Sequence, residues 1–385
     1  NQATSIDLKN VATMTSFGAI KTTGALKLTT AGTASQTALF DVGALTMNGG
    51  GTFMLATQDN KFSSLTTVGA VGEINQATSI DLKNVATMTS FGTIKTTGAL
   101  KLITAGMVNQ TAAFESGALT LNGGGTFMLA TQDNKFTSLT TVGAVGETNQ
   151  ATSIDLNNTA TATIFGAIKT TGAFTFNTGG AVTQPGALSA TTVNLLGAGG
   201  TYTLDNNGNM ISTLIGNTGS INLVNSTATS VDPVTTTGPL KLTSGGTLLV
   251  GGAVRFGDGA SSLESTGGNV VISAALNRTG NSATSLALTA STGAVTINSG
   301  TGSIGSSSAN PFDVSVIAGS GGTSLNGAID ARGGDLTLTS MGTVMSSSAG
   351  TIASKVTSLS GSGITIGGAV TTTGATTLTA GTGGI

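Results

Sequence analysis

The stretch Asn75-Gln-Ala-Thr-Ser-Ile-Asp-Leu82 decides the fold, because the chain contains it three times. The same eight residues stand at 1–8 and at 149–156, so successive copies are 74 residues apart. Self-similarity at a fixed period is the signature of a repeat architecture. The sequence is therefore informative about shape before any single residue is considered.

The repeats divide the chain unequally. Units 1–74 and 75–148 are near-identical and differ at 11 of 74 aligned positions. Unit 149–222 is partly diverged, and 223–385 keeps only fragments of the pattern. Because residue 1 falls at the same phase as residues 75 and 149, we expect the chain to be a segment of a longer protein.

A shorter period lies inside each unit. Apolar–polar–apolar triplets occur at Ile6-Asp7-Leu8, Leu26-Lys27-Leu28 and Leu45-Thr46-Met47. Steps of 20, 19, 20 and 15 residues lead from Ile6 through Leu65 to Ile80. Alternation of this kind predicts strands with one buried face, and the flanking Gly, Asn and Thr supply turns. Gly and β-branched residues are too frequent for helices.

A strand that returns about every 19–20 residues in one phase predicts an all-β parallel solenoid, in which each apolar side chain stacks on its equivalent one turn below. We expect one continuous β-solenoid over 1–385. The 15-residue step leaves open whether a unit holds three or four coils. The predicted inward column comprises Ile6, Leu26, Leu45, Leu65, Ile80, Leu100, Leu119, Leu139, Ile154, Phe174 and Val193, then Ile221, Leu240, Val270, Val295, Val314, Leu336 and Ile364.

Three phrases carry a family resemblance: Thr23-Gly-Ala-Leu-Lys-Leu-Thr-Thr-Ala-Gly32, Gly333-Gly-Asp-Leu-Thr-Leu-Thr339 and Ile364-Thr-Ile-Gly-Gly-Ala-Val370. In these phrases and in its periodicity the chain resembles filamentous-haemagglutinin-like exoproteins and related bacterial β-strand-repeat adhesins. The resemblance implies a right-handed parallel β-helix. It also implies secretion across the outer membrane and display on the cell surface as a rod or fibre.

Composition excludes several classes of function. Only 8% of the residues are charged, and the net charge is −2. Nucleic-acid binding needs a clustered basic footprint, so we expect no nucleic-acid partner. With no Cys and no His, thiol chemistry and His-dependent nucleophiles are excluded. No apolar run is long enough for a membrane-spanning helix.

Outward-facing charges are expected to pair between turns. The predicted stacking places Asp7 beneath Lys27 and Asp81 beneath Lys101. Exposed pairs of this kind contribute about 0.2–1 kcal/mol and help to fix the register of the strands.

Clusters of acidic residues are candidate catalytic sites, since a glycosidase needs two carboxylates roughly 5–9.5 Å apart. We interpret Arg255, Asp258 and Glu264 as solvated turn charges, and likewise Asp330, Arg332 and Asp335. Asp205-Asn-Asn-Gly-Asn209 and Gln58-Asp59-Asn60-Lys61 are interpreted as turns rather than calcium sites.

Aromatic, Asn and Thr positions also favour a structural role. Phe17, Phe40, Phe53 and Phe62 are expected to fill corners of the solenoid. Asn10, Asn84 and Asn158 are expected at turns, a whole unit apart and so unable to form a ladder by themselves. The pair Thr22-Thr23 recurs once per unit, too rarely for a flat ice-binding face.

These observations predict a non-catalytic, extracellular structural or adhesive rod or fibre segment of a large bacterial surface protein. We expect no catalytic residues, no metal site and no cofactor. Expected partners are further copies or neighbouring repeats of the same chain, with a surface or glycan ligand left open. A polysaccharide-acting β-helix enzyme and a carbohydrate- or ice-binding solenoid remain the alternatives.

Overall fold

The computed structural model describes residues 3–282, 284–306, 311–331 and 333–385. Within these ranges the regular structure consists of 45 strands, with no helix. The strands form two compact units, Asn1–Ala190 and Thr191–Ile385, which together hold about 18 turns of parallel stacked strands. The prediction of an all-β parallel β-solenoid is therefore confirmed. Continuity over 1–385 stays a prediction.

The strands are short, as expected for a chain that turns after every few alternating residues. In chain order, β1 to β15 are Ile6–Asn10, Met14–Phe17, Ile20–Lys21, Ala25–Thr30, Thr33–Gln36, Phe40–Asp41, Ala44–Asn48, Thr52–Asn60, Ser64–Thr66, Ser79–Asn84, Met88–Phe91, Ile94–Lys95, Leu100–Ile103, Met107–Gln110 and Phe114–Glu115. Strands β16 to β30 are Ala118–Asn122, Thr126–Asn134, Ser138–Thr140, Ser153–Asn158, Ala162–Phe165, Ile168–Lys169, Ala173–Asn177, Ala181–Thr183, Leu188–Leu204, Met210–Asn225, Thr229–Thr236, Leu240–Ser244, Leu248–Val250, Val254–Phe256 and Ser261–Ser265. Strands β31 to β45 are Val270–Ile272, Ala275–Arg278, Thr284–Ala290, Val295–Ile297, Ser303–Ser306, Phe312–Ala318, Thr323–Leu325, Ile329–Asp330, Leu336–Ser340, Val344–Ser346, Ile352–Ser354, Thr357–Gly361, Ile364–Ile366, Val370–Thr372 and Thr376–Ala380.

In the first compact unit most strands stack on two faces, and β3–β6, β12–β15 and β21–β24 form further short parallel pairings between them. The first face comprises β1, β4, β7, β9, β11, β14, β17, β19 and β22, each paired in parallel with the next. The second face comprises β2, β5, β8, β10, β13, β16, β18, β20 and β23. Their inward apolar side chains form the core, and Leu26, Leu45, Leu65 and Phe53 have no exposed surface.

The predicted inward column is correct over its first four members and wrong at the fifth. Ile6, Leu26, Leu45 and Leu65 are aligned in register. Leu65 then pairs with Phe91, whereas Ile80 lies on Phe53 of the second face.

The same change of face occurs one unit later, where Ile154 pairs with Phe127 and Leu139 pairs with Phe165. The 15-residue interval is therefore not a coil. It belongs to one long turn that runs from the first face to the second and back.

The number of coils per unit follows from this register. Strands β1 and β19 begin equivalent stretches two units apart, and seven successive pairings on the first face connect them. Each 74-residue unit therefore makes three and a half turns, rather than three or four. Equivalent residues consequently alternate between faces: Ile6 is on the first, Ile80 on the second and Ile154 on the first again.

The second compact unit corrects the later part of the column. Ile221 pairs with Leu240, and Val314 with Leu336, on one face. Val270 pairs with Val295 on another, and Val344 with Ile364 further along the same stack. The predicted list mixed two stacks, because an apolar triplet looks the same on either face of a common core.

Buried amides line a corner of the first compact unit. Gln36 and Asn60 exchange side-chain hydrogen bonds of 3.0 and 3.2 Å on successive turns. Asn84 aligns with Asn60 one turn further on, and its carboxamide is bonded to the backbone of Phe62. The ladder thus uses residues from different places in the repeat, which spacing by whole units does not show. Fully buried amides need such partners, because an unsatisfied one costs about 1–3 kcal/mol.

Removing one unit tests the half-integer repeat. When residues 75–148 are deleted, Ile154 takes the place that Ile80 has in the parent chain. It then packs on Phe53, which is equivalent to its present partner Phe127. Repeat stability is approximately a sum of neighbour interactions, so we expect a cooperative melt within about 4 °C of the parent. Deleting 75–111 instead breaks the register and should abolish cooperativity. Circular dichroism during heating distinguishes the two deletion variants. If both melt with the same cooperativity, the assigned stacking is wrong.

Candidate functional site

The irregular intervals form two equivalent loops, 67–78 and 141–152, which we call the excursion loops. Each leaves the stack after a short strand, β9 or β18, and turns sharply. The amide of Glu73 donates to the carbonyl of Ala70 at 3.1 Å, with Gly72 at φ 87°. That left-handed conformation strains any residue with a Cβ. The turn holds Val71 fully in solvent, and Val145 is equally exposed in the second loop.

The first excursion loop is fastened to the stack by Glu73. Its carboxylate accepts hydrogen bonds from Lys27 Nζ at 2.6 Å, Asn48 Nδ2 at 2.9 Å and the Ala70 amide at 2.7 Å. The hydrogen bond from Lys27, followed by those from Asn48 and Ala70, lowers the pKa of Glu73 to about 2. The same bond raises the pKa of Lys27. The loop is therefore held by a charge-assisted cluster.

The second excursion loop repeats this arrangement on the other face. Glu147 accepts from Lys101 Nζ and Asn122 Nδ2, both at 2.7 Å, and from the Ala144 amide at 2.9 Å. Burial alone would raise the pKa of Glu147, but these hydrogen bonds outweigh it and lower the pKa.

The predicted pairs are present but secondary. Asp7 and Lys27 are register partners with a 3.5 Å contact, and Asp81 and Lys101 are partners at 3.6 Å. Both contacts are longer than the bonds to the loop glutamates.

Sequence reasoning missed those glutamates because the contact joins residues 46 positions apart. A signal existed in the third unit. Thr175 replaces the lysine there, and the interval from Leu214 to Ile221 is too short for the loop, so the lysine and the loop disappear together.

Equivalent aspartates have different environments. Asp81 is aligned with Met54, and Asp155 with Met128, on the neighbouring strand. Burial raises the pKa of both carboxyls, although Lys101 opposes the effect at Asp81. Thr175 takes the place of that lysine beside Asp155. One sequence position thus carries different electrostatics in the second and third units.

A groove lies beside each excursion loop, with a volume of about 290 Å³ in both cases. The two grooves are equivalent in sequence and occur on different faces. The first is lined by Lys9, Asn10, Val11, Thr29, Thr30, Ala31, Gly49, Gly72, Glu73 and Ile74. The second is lined by Ala56, Lys83, Asn84, Val85, Ile103, Thr104, Ala105, Gly123, Gly146, Glu147 and Thr148.

The cluster suggested by Arg255, Asp258 and Glu264 is not formed as a paired-acid site. Asp258 lies 3.8 Å from the buried guanidinium of Arg278 and accepts from the Ser282 amide. Glu264 accepts from the Thr243 hydroxyl at 3.5 Å on a different strand. Asp258 lies in a bend, as expected, but the turn interpretation is wrong for Arg255 and Glu264, which lie within β29 and β30.

The second acidic cluster includes Arg332, which lies outside the described residues. Asp335 immediately precedes β39, and its amide donates to the Asp313 carboxylate at 2.9 Å. Both line a cleft of about 610 Å³ with Lys355. Asp330 lies on β38, aligned with Ala353.

The two loop-like Asn motifs have structural roles. Asn209 is fully buried and donates to the carbonyls of Leu204 and Val224, so Asp205–Asn209 is a turn as expected. The turn interpretation of Gln58–Lys61 is wrong, because residues 58–60 belong to β8 and Asn60 stands in the amide ladder. Pairing of the bulged strand with β10 overrides local turn propensity.

Among the described residues, no group of three or more acidic, His or Cys side chains could hold a metal ion. In the same ranges, no helix is long and apolar enough to cross a membrane.

Stacked parallel strands with equivalent loops define a β-solenoid repeat protein. The chain belongs to the family described as repeats of unknown function (DUF5649), whose model matches residues 3–69, 72–143 and 149–218, more than half of the length. No curated protein matches the chain, and no solved structure does.

The ion cluster predicts a pH-dependent loop. Glu73 has a folded pKa below its ordinary value of 4.5, so its stabilisation is complete above that pH and is lost as pH falls towards 2. The Gly49 and Gly50 amides donate to loop carbonyls of Ile74 and Gln76. Their hydrogen-exchange protection should fall over that window, and Glu73→Gln should reduce it at pH 7. Asp7→Asn is the control, and equal loosening by Asp7→Asn would contradict the assignment to Glu73.

One amino-acid difference between the first two units removes a buried hydrogen bond. The Thr29 hydroxyl donates to Asn48 Oδ1 at 2.7 Å, but Ile103 occupies the equivalent place in the second unit. Asn122 Oδ1 is consequently buried there without a hydrogen-bond partner.

Thr and Val at each position form a matched pair of nearly equal shape. Thr29→Val should destabilise the chain by about 1–3 kcal/mol, because it leaves Asn48 Oδ1 unpaired. Ile103→Thr should be more stable than Ile103→Val by about 1 kcal/mol, because it restores the missing bond. Urea unfolding measures both differences. This account is refuted if the chain with Val is more stable than the chain with Thr at both position 29 and position 103.

Proposed function

We propose that the chain is a non-catalytic structural segment of an extracellular bacterial surface protein, where it serves as a spacer that sets length. Three things support the proposal: the stacked parallel register, the near-duplicate units, and the sequence resemblance to filamentous-haemagglutinin-like exoproteins. The strongest single observation is the half-integer repeat. Equivalent strands fit either face, so a unit can be added or removed without redesigning the core.

The ion clusters suit that role. Each excursion loop pairs its glutamate with a lysine of the same unit, and that lysine also lies 3.5 or 3.6 Å from an aspartate of the unit. Alternating charges also line the corners, as in the Lys21–Asp41 pair at 3.0 Å and in Glu115, which lies 3.8 and 3.7 Å from Lys95 and Lys135. Pairs across turns favour one register and penalise slippage. A spacer needs a uniform register more than it needs any individual residue.

A length series tests this function. Chains carrying one, two or four copies of 75–148 should lengthen by about 17 Å per unit, which is three and a half strand spacings of ~4.8 Å. Negative-stain electron microscopy gives the particle lengths. The same series placed between a cell-surface anchor and a reporter domain should extend the reporter's reach in step. A reach or particle length independent of copy number would reject the spacer role.

One observation favours a second candidate, a polysaccharide-binding or polysaccharide-cleaving solenoid. In the second compact unit one cleft is lined by Lys355 and two aspartates: Asp313 on β36, and Asp335 immediately before the paired strand β39. Against it, Asp313 is engaged by the amide of Asp335. Saccharide binding or cleavage that is lost in both Asp313→Asn and Asp335→Asn would favour this candidate over the spacer.

A further inference from the structure

Each excursion loop brings a lysine, an asparagine and a glutamate together. In the first loop Lys27 Nζ donates to Glu73 Oε1 at 2.6 Å, and Asn48 Nδ2 donates to Oε2 of the same carboxylate at 2.9 Å. The asparagine is fully buried, and the side chains of the lysine and the glutamate are 19% and 26% exposed. An amine, a carboxamide and a proton acceptor are therefore held in one cluster that is largely shielded from water.

The strands place the lysine within reach of the carboxamide carbon. Asn48 on β7 aligns with Thr29 on β4, two residues beyond Lys27. Two residues along a strand and one strand spacing across separate the Cα atoms of Lys27 and Asn48 by about 8 Å. A lysine joined to an asparagine through their side chains spans up to roughly 10 Å, so a bond between them fits the observed register.

The carboxamide is also oriented for attack by a nucleophile. The Thr29 hydroxyl donates to Asn48 Oδ1 at 2.7 Å, on the atom where negative charge develops when a nucleophile adds to Cγ. The Glu73 carboxylate lies at Nδ2, the nitrogen that would leave. Nucleophile, proton acceptor and oxyanion donor thus come from β4 and the loop, and they converge on one side chain of β7.

We propose that Lys27 Nζ and Asn48 Cγ join in an intramolecular isopeptide bond, formed by the chain itself with Glu73 as the group that carries the proton. The ion pair first passes one proton from Lys27 to Glu73, which frees the lone pair of Nζ. Nζ then adds to Cγ, and Glu73 gives its proton to Nδ2 while it takes one from Nζ. The Cγ–Nδ2 bond breaks with its electron pair, and ammonia leaves with the proton held by Glu73. A lysine ammonium and a carboxamide thus become a secondary amide and an ammonium ion, with no oxidant or cofactor.

The ion pair makes this reaction slow, because a protonated lysine is not a nucleophile. A slow reaction suffices, since the bond is made once in each chain and there is no turnover. The role of the bond rests on the proposed spacer function: a covalent link between neighbouring turns keeps a rod of fixed length from unwinding when it is pulled.

The second unit carries the same three groups with one difference. Lys101 Nζ and Asn122 Nδ2 both donate to Glu147 at 2.7 Å, so a second isopeptide bond joins this pair. Ile103 stands in the place of Thr29, however, and Asn122 Oδ1 has no hydrogen-bond partner. We expect this bond to form about 100-fold more slowly than the first, the effect of one missing oxyanion donor. Ile103→Thr should remove the difference, and an unchanged rate in that variant would refute the role of the hydroxyl.

Tryptic digestion of the denatured 385-residue chain, followed by mass spectrometry, tests the first bond. An isopeptide at Lys27 blocks trypsin there, so residues 22–61 should appear as one looped peptide, lighter by one ammonia. Succinimide formation at Asn48-Gly49 also releases ammonia, but it leaves Lys27 open to trypsin and gives separate peptides 22–27 and 28–61. The second bond is followed in the same way through the looped peptide 96–135, over time in freshly synthesised chain.

Three variants identify the groups that react. Lys27→Arg keeps the positive charge but should abolish the looped peptide 22–61, and Glu73→Gln should abolish it by removing the proton acceptor. The matched control is Lys21→Arg, at a lysine paired with Asp41 at 3.0 Å, and this variant should still form the loop. Circular dichroism checks that every variant is folded.

Two results would overturn the proposal. One is cleavage of the wild-type chain after Lys27, with peptides 22–27 and 28–61 recovered whether or not ammonia is missing from the second. The other is formation of the looped peptide in Glu73→Gln as fast as in wild type. Either result would leave the spacer role intact, because the length series tests that role independently.

Discussion

Parallel register between successive turns is the constraint on which the whole structure depends. Every inward side chain must lie on another inward side chain about 4.8 Å away, and every backbone amide must find a carbonyl on the next turn. This requirement explains the low charge and the abundance of small residues. It also explains why Ile6, Leu26, Leu45 and Leu65 recur at nearly constant spacing. Where extra residues enter, they leave the stack as a loop and do not stretch the strands.

Local pattern was enough to predict the strands, their parallel stacking and the contact of Asp7 with Lys27. It could not predict that Ile80 changes face. Both faces share one core, so the same apolar triplet can lie on either face and does not indicate which. Val68, Val71 and Ile74 are apolar but exposed, because the excursion loop that carries them leaves the stack. The contact between Lys27 and Glu73 was missed because it depends on how far a loop folds back, which spacing along the chain does not encode.

Near-identical sequence also conceals different energetics. Burial raises the pKa of Asp81 and of Asp155, which occupy one position of the repeat, yet only Asp81 has a lysine as register partner, because Thr175 replaces Lys101 beside Asp155. The difference lies in the following turn, whereas the preceding turn supplies an equivalent neighbour, Met54 or Met128, to both. The exchange of Thr29 for Ile103 acts the same way, since it leaves a distant amide oxygen unpaired. In a solenoid the environment of a residue is set by the turns above and below it, not by its neighbours in sequence.

The three-and-a-half-turn unit also gives repeat number a parity. Duplication of one unit rotates all the following turns by half a turn, so that each of their residues lies on the opposite side of the stack. A second duplication restores the original side. Unequal recombination between such similar repeats would therefore do more than change length. It would switch which side of the molecule is shown to the surroundings, with no amino-acid substitution. Lineages that differ by an odd number of units would carry the same surfaces in exchanged positions.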